Sequence, residues 1–217
     1  MGDVNQVAFI EKHRGRLTGP VLEIGSRDYG RTPDLRKLFP QHEYLGVDMS
    51  AGVGVDVVCD FTQPLDEIVK TIGRSELGTV VMLSVLEHCD QPFALASNVS
   101  ELLAPGGHLV ISVPFVWMVH GYPDDYWRFT PSGVRKLFPR LSFEAPWMST
   151  GRAGTLELAD EQVGRVDLAN GLRWAMTQGP RWAMTTLARK VGGMPTAFSE
   201  PYLYPATMIH MLGRKTS

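Results

Sequence analysis

The chain has 217 residues, 44% of them apolar and 20% charged, a size and composition that support one globular domain with its own core. A formal net charge of −2 gives no basic excess to hold a phosphate backbone, which excludes a broad nucleic-acid surface. The two cysteines, Cys59 and Cys89, match neither a zinc spacing nor a disulfide framework, and no apolar run reaches the ~20 residues of a membrane span, so a soluble protein of the reducing cytoplasm is expected.

In chain order, Met1 to Pro20 sets Asp3, Glu11, Lys12, Arg14 and Arg16 around Val7-Ala8-Phe9-Ile10, which reads as an amphipathic helix and not as a signal-peptide core. Short apolar runs follow at Pro20 to Ile24, Tyr44 to Val47, Val55 to Cys59, Thr79 to Leu83 and His108 to Val113, each a candidate strand of a buried parallel sheet. Thr32 to Phe39, Leu65 to Gly73 and Phe93 to Leu103 carry helical patterning between them. Ala104-Pro105-Gly106-Gly107 closes the last of these, because proline cannot continue a helix and glycine accepts a left-handed turn. A long aromatic loop leads to Thr130, a helix begins at Pro131 and runs to Phe138, and strands are expected at Leu141 to Trp147 and Ala206 to Leu212. Such alternation predicts a doubly wound, Rossmann-like α/β sheet. From Gly151 to Pro205 periodicity weakens, and Arg173-Trp174-Ala175-Met176-Thr177 recurs as Arg181-Trp182-Ala183-Met184-Thr185, a local duplication too short to be a repeat fold.

Ligands of open α/β sheets bind at the C-terminal ends of strands near the reversal of strand order. The first strand there runs into Glu23-Ile24-Gly25-Ser26-Arg27-Asp28. A nicotinamide dinucleotide wants Gly-x-Gly-x-x-Gly for its pyrophosphate; Arg27 stands in place of the second glycine and Glu23 adds a carboxylate. That chemistry disfavours an NAD-dependent oxidoreductase and suits a ligand with an ammonium group and no phosphate, such as S-adenosyl-L-methionine (SAM). Gly25 permits close backbone approach, Glu23 favours the ammonium through water or backbone, Asp48 is spaced to take the ribose hydroxyls, and Asp60 and Phe61 are candidates for the adenine; Asp60 has a competing reading as a turn cap.

Leu22-Glu23-Ile24-Gly25-Ser26-Arg27, Gly46-Val47-Asp48, Val55-Asp56-Val57-Val58-Cys59-Asp60, Ser84-Val85-Leu86-Glu87-His88 and Leu103-Ala104-Pro105-Gly106-Gly107-His108-Leu109 occur in this order. Over roughly residues 18 to 148 the sequence thereby resembles the class I SAM-dependent methyltransferases, in particular their type 11 small-molecule group. It departs from that pattern at Thr79, where the family usually has Asp, and in its glycine loop. The resemblance implies a seven-stranded, mostly parallel sheet with an antiparallel last strand. It implies SAM as cofactor, with Glu23, Gly25, Ser26, Arg27, Asp48, Met49, Asp60, Phe61 and Ser84 as cofactor contacts. Methyl transfer to an oxygen or nitrogen of a small molecule, a sugar or secondary metabolite, is the implied reaction; a SAM-fold binding or scaffold protein without turnover is the alternative.

Methyl transfer is an in-line displacement at a carbon the sulfonium has already activated, so the protein supplies alignment and a base. His88 after the fourth strand and His120 after the fifth are the candidate bases, each balanced by a reading as a loop-fixing hydrogen-bonder. Trp117, Tyr122, Asp124, Tyr126 and Arg128 are the candidate acceptor-binding residues. Asp124, Asp125 and Arg128 have a competing reading as a structural salt bridge, and the aromatics a competing reading as core. No ligand spacing supports a metal at His88, His120 and Asp124, and none is expected. The 151–205 insertion is expected as a lid or dimer element within a single 1–217 domain. The partners implied are a small-molecule acceptor and a second copy of the chain, with neither nucleic acid nor membrane.

Overall fold

The structure is a computed structural model that describes residues 4–30, 33–121, 124–150, 152–159 and 207–216. Residues 160–206 lie outside the described residues, and with them the tryptophan repeat and most of the expected lid or dimer element.

The amphipathic start is helix α1, Val4–His13, followed by a short 3-10 turn at Arg14–Arg16. Strands β1 (Val21–Ile24), β2 (Tyr44–Asp48), β3 (Val57–Val58), β4 (Leu77–Leu83) and β5 (Leu103–Val116) form the parallel half of the sheet. Helix α2 (Leu65–Ile72) links β3 to β4, and α3 (Pro92–Leu102) links β4 to β5. Helix α4 (Pro131–Leu137) is capped by Thr130 Oγ1, which accepts from Gly133 N at 3.0 Å. It leads to β6 (Leu141–Phe143), β7 (Trp147–Thr150) and β8 (Glu157–Leu158), and β9 (Thr207–Lys215) closes the described chain. The order is β3-β2-β1-β4-β5-β9-β7-β8, with β6 also on β9 and β9 antiparallel to β5. Taken as one interrupted edge strand, β6 and β7 complete the expected seven principal strands and their antiparallel member.

Several expectations shift. Thr32 to Phe39 yields only a 3-10 turn at Leu35–Leu38: Asp34 accepts from Arg36 N and closes a tight turn, and Pro40 stops propagation. Val55 to Cys59 shortens to two paired residues on β2. The Leu141 to Trp147 strand divides where Pro146, which has no N–H to donate, interrupts its ladder on β9. β5 pairs with β4 from Leu103, and the ladder shifts between Leu77 and Thr79 where Gly106 has φ 80°. Thr79, the departure from the family pattern, donates its hydroxyl to Thr18 O at 2.8 Å and accepts from Thr18 N, tying the entry to β1 onto β4.

Alternation along the strands sets two faces. Val81, Val110 and Leu212 are register partners across three strands and pack with Phe9, Ile10, Leu17, Leu35 and Phe39, so α1 covers this face. Within it lies one polar device. His210 on β9 is fully buried between Ser112 on β5 and Ser149 on β7, each hydroxyl 2.7 Å from one ring nitrogen. Burial pushes its pKa down to about 4.

Replacing His210 with Ala leaves a cavity and two buried hydroxyls short of a partner, so a loss of about 3 kcal/mol in urea unfolding at pH 7 is expected. The wild-type imidazole stays neutral when folded and protonates when unfolded below its ordinary value. Its contribution is therefore present above about pH 6.5 and is lost as pH falls toward 4. The stability gap between wild type and His210→Ala should accordingly narrow through that window; a gap constant from pH 7 to 4 would contradict the neutral buried imidazole.

Candidate active site

The parallel register places the C-terminal ends of β1, β2 and β4 on one rim. Gly25 N and Ser26 N both donate to Val47 O, at 2.9 and 3.1 Å, so the chain leaving β1 turns across the end of β2. Gly25 has φ 81°, and a Cβ there would stand 2.6 Å from Val85 Cγ2. No other residue type fits without displacing the β4 loop. Ser84, directly after β4, has φ 56°, a conformation that costs a non-glycine residue about 1 kcal/mol or more and clusters at functional sites. It is held by its N–H to Ser112 O (3.0 Å) and by Gln6 Nε2, which donates to its hydroxyl at 3.0 Å. Ser26 Oγ is buried without a hydrogen-bond partner among the described residues, an uncommitted donor and acceptor beneath the turn.

Glu23 lies on the α1 face of β1, where Tyr44 donates its hydroxyl to Glu23 Oε2 at 2.5 Å. Burial lifts the Glu23 carboxyl to about 7 against the opposing pull of Tyr44 and Arg36. It braces the rim from beneath. Asp48 Oδ1 accepts from Ser50 N at 2.9 Å, leaving Oδ2 without a partner among the described residues. Met49 beside it is 66% exposed. Arg27 stacks its guanidinium 5.2 Å over the Tyr29 ring. The 50–56 loop packs on this turn: Asp28 N donates to Val53 O, and Arg36 bridges Gly54 O and Asp56 Oδ2.

Two adenine contacts change character. Asp60 is a turn cap, accepting from Thr62 N, Thr62 Oγ1 and Gln63 Nε2 at 2.7–2.8 Å. Burial works to raise its pKa, and these hydrogen bonds outweigh it and leave the group below its ordinary value. Phe61 is only 2% exposed, so its ring belongs to the core.

On the acceptor side, Arg128 is fully committed. It makes a two-point ion pair with Asp125 (2.5 and 2.7 Å) and donates to the carbonyls of Trp117, Met118 and Trp127. A guanidinium with its donors so used has none for a substrate, and the salt-bridge reading holds, with Asp125 rather than Asp124 as partner. Arg128 holds the Asp125 carboxyl well below the usual carboxylate range. Tyr126 donates its hydroxyl to Asp124 Oδ2 at 3.2 Å, and Trp127 Nε1 donates to Cys89 O. Met118, Val119, Tyr126 and Trp127 are exposed, so this wall is not core. Trp117 is half-buried, and Tyr122 lies outside the described residues.

The two histidines meet: their ring centroids are 5.1 Å apart and their planes near perpendicular. His88 Nδ1 lies 2.6 Å from Asp124 O, and His120 Nδ1 lies 3.1 Å from Met118 O and 3.3 Å from Asp125 Oδ2. A carbonyl only accepts, so Nδ1 carries a proton in both rings, and in the neutral form of each ring Nε2 holds the lone pair. Burial lowers the His88 pKa. Glu87, present in the motif but not singled out from sequence, is 1% exposed and its Oε2 has no partner among the described residues. Gln6 meets Ser84 from 78 residues away, and what sets Glu87 apart is its burial and its closeness to His120, neither of which has a local signature in the sequence.

A family model described as a methyltransferase domain matches residues 6–157. The chain belongs to the methyltransferase-domain family. It is 27% identical over 185 residues to the non-reducing polyketide synthase SAT8 of Stachybotrys chartarum; the match takes in 76% of this chain and 7% of that protein, so the chain spans a small part of that relative. The fold is similar to 1,6-didemethyltoxoflavin-N1-methyltransferase of Burkholderia thailandensis, solved with 1,6-didemethyltoxoflavin and S-adenosylhomocysteine: TM-score 0.55, 16% identity, 99% of this chain and 78% of that one. It is also similar to the N-methyltransferase NodS of Bradyrhizobium japonicum, solved with S-adenosylhomocysteine: TM-score 0.54, 12% identity, 98% of this chain and 86% of that one. At these identities the structural likeness speaks to fold, which is that of the SAM-dependent methyltransferases. Among the described residues no helix is long and apolar enough to cross a membrane.

The Glu23 carboxyl keeps its proton in the folded state up to about pH 7, whereas an unfolded glutamate loses it near 4.5. Folding stability contributed by this group therefore falls as pH rises through that window. Glu23→Gln, which stays neutral, should gain on wild type by about 3 kcal/mol between pH 4.5 and 8. Urea midpoints at the two pH values measure this, and an unchanged difference would show that the Glu23 carboxyl titrates alike in the folded and unfolded chain.

Proposed function

We propose that the protein transfers a methyl group from SAM to an oxygen or nitrogen of a small-molecule acceptor. The observation that carries the reading is the rim turn at Gly25, where the backbone is bare and the buried Ser26 hydroxyl lacks a partner. A ligand with hydroxyl and amino groups and no phosphate fits such a rim, and the family and fold point to the same cofactor. When bound, SAM supplies a methyl group already activated toward displacement.

The protein's own part is to bind and to orient. Asp48, with Oδ2 uncommitted, suits ribose hydroxyls; Ser26 and Ser84 flank the turn; Met49 offers an apolar contact beside Asp48. Glu23 acts indirectly, through Tyr44 and the backbone, in keeping with its burial. On the acceptor side, the exposed aromatic and aliphatic side chains Met118, Val119, Tyr126 and Trp127 suit a ring or apolar body. The paired histidines, each with an Nε2 lone pair, are suited to act on the acceptor's hydroxyl or amine. A small acceptor also accords with the lack of basic excess.

Thermal shift separates the classes, because a ligand bound only by the native state raises its stability. S-adenosylhomocysteine and SAM should each raise Tm and NAD should not; stabilisation by NAD alone would sink the reading. Asp48→Ala should weaken S-adenosylhomocysteine about tenfold or more, as expected for a lost charge-assisted hydrogen-bond pair. His88→Ala and His120→Ala should retain that affinity yet slow turnover in a methyl-acceptor screen. Wild-type cofactor binding with no turnover on any acceptor would favour a scaffold role.

A further inference from the structure

The acceptor end of the rim holds a group of side chains whose chemistry methyl transfer alone does not require. One carboxylate oxygen of Glu87 and one ring nitrogen of each of His88 and His120 lie within 4.8 Å of one another. We propose that Glu87, His88 and His120 bind a divalent first-row transition-metal ion.

Three observations converge on this set. Glu87 is 1% exposed and its Oε2 has no partner among the described residues, so a carboxyl oxygen that is costly to bury lacks a donor there. Both imidazoles spend Nδ1–H on oxygen acceptors, Asp124 O for His88 and Met118 O with Asp125 Oδ2 for His120. A ring anchored through Nδ1 presents Nε2 as a neutral donor in a fixed orientation, which is how metal-binding histidines are held. And the mounting is stiff. Asp125 is clamped by Arg128 and accepts from His120 N at 2.8 Å, while Glu87 O accepts from Tyr126 N at 2.8 Å, so the strand-four loop and the aromatic loop are joined at the three ligands.

Distances allow closure. Metal bonds of about 2.0–2.2 Å place tetrahedral ligands roughly 3.3 Å apart, so ligand atoms within 4.8 Å of one another draw in by at most about 1.5 Å on binding. Two neutral imidazoles and one carboxylate suit zinc or a neighbouring transition ion, whereas magnesium and calcium want oxygen ligands. Such a set leaves at least one coordination position open. The site deepens the proposed function and rests on it: with the metal bound the two imidazoles serve as ligands and not as bases, and a hydroxyl-bearing acceptor is the class that would take the open position. No metal was expected from ligand spacing; the carboxylate that meets the two histidines is Glu87, while Asp124 serves through its backbone carbonyl at His88.

The test uses tag-free full-length protein freed of metal by chelator. Zinc titration by calorimetry should show one equivalent, and cobalt should give the visible absorption of a low-symmetry site. His120→Ala, on an exposed loop, and Glu87→Gln should each weaken zinc more than tenfold; Asp125→Asn, a positioning change, should weaken it less; His42→Ala, remote from the site, should leave it unchanged. If Glu87→Gln does not fold, His120→Ala and His88→Ala carry the comparison. Absence of a stoichiometric zinc or cobalt complex would overturn the site, as would a complex that survives His88→Ala and His120→Ala combined. Either failure is distinct from failure of the methyltransferase reading, because the S-adenosylhomocysteine shift is measured on the same metal-free protein.

Discussion

Strand β1 pairs in parallel with β2 on one side and β4 on the other without a slip in register, and from that constraint the rest of the site follows. Ile24, Asp48 and Leu83 finish on the same rim, so the turns leaving them must share a narrow space. Gly25 meets that demand by having no side chain to set against Val85, and Ser84 meets it by accepting a positive φ. Both turns are secured by backbone hydrogen bonds, to Val47 O and Ser112 O. A rim made this way is defined by main-chain geometry, which many sequences can adopt. Similarity of fold at 12–16% identity is what such a construction allows.

The ionisable groups beneath the rim work against each other in a useful way. Burial raises Glu23 to about 7 and lowers His210 to about 4, so each stays neutral where its free counterpart would be charged. As pH rises from 4.5 to 6.5 the carboxyl's contribution to stability falls while the imidazole's rises. Glu23 on β1 and His210 on β9, both on interior strands, therefore carry pH linkages of opposite sign. Neither is surplus: Glu23 anchors Tyr44, and His210 joins three strands through two serines.

The sheet was legible because buried parallel strands are continuous apolar runs, and Val80-Val81-Met82-Leu83 or Leu109-Val110-Ile111 admit little else. Legibility failed where a local interaction overrode periodicity. Asp34 and Pro40 confine Thr32 to Phe39 to one tight turn, and Pro146 interrupts an edge strand whose two halves read as one. In the site, Gly25 and Asp48 stood out because backbone approach and strand-end acidity have local signatures. Asp60 had two local readings, and its three hydrogen-bond donors selected the turn. Arg128, read as a substrate contact or a strut, is the strut, which depends on carbonyls ten residues upstream that no spacing rule points to. Glu87 illustrates the deeper limit. It lies in a quoted motif next to His88, yet what distinguishes it is a burial and a closeness to His120 that only the folded loops produce.

The two halves of the crevice are therefore built on different principles, with consequences for how each can change. The cofactor half relies on glycine and backbone, so most substitutions there collide with a neighbouring strand. The acceptor half hangs from Arg128, whose hydrogen bonds to Trp117, Met118 and Trp127 all go to main-chain oxygens. Side chains at 118 and 119 are exposed and take no part in that suspension, Tyr126 and Trp127 are tied to Asp124 and Cys89 O, and His88 and His120 keep their anchors at Asp124 O, Met118 O and Asp125. A frame of this kind separates position from surface: the two imidazoles stay put on main-chain oxygens and Asp125 as the exposed wall beside them varies. The same separation explains why family and fold define the cofactor side closely and leave the acceptor to be read from exposed side chains.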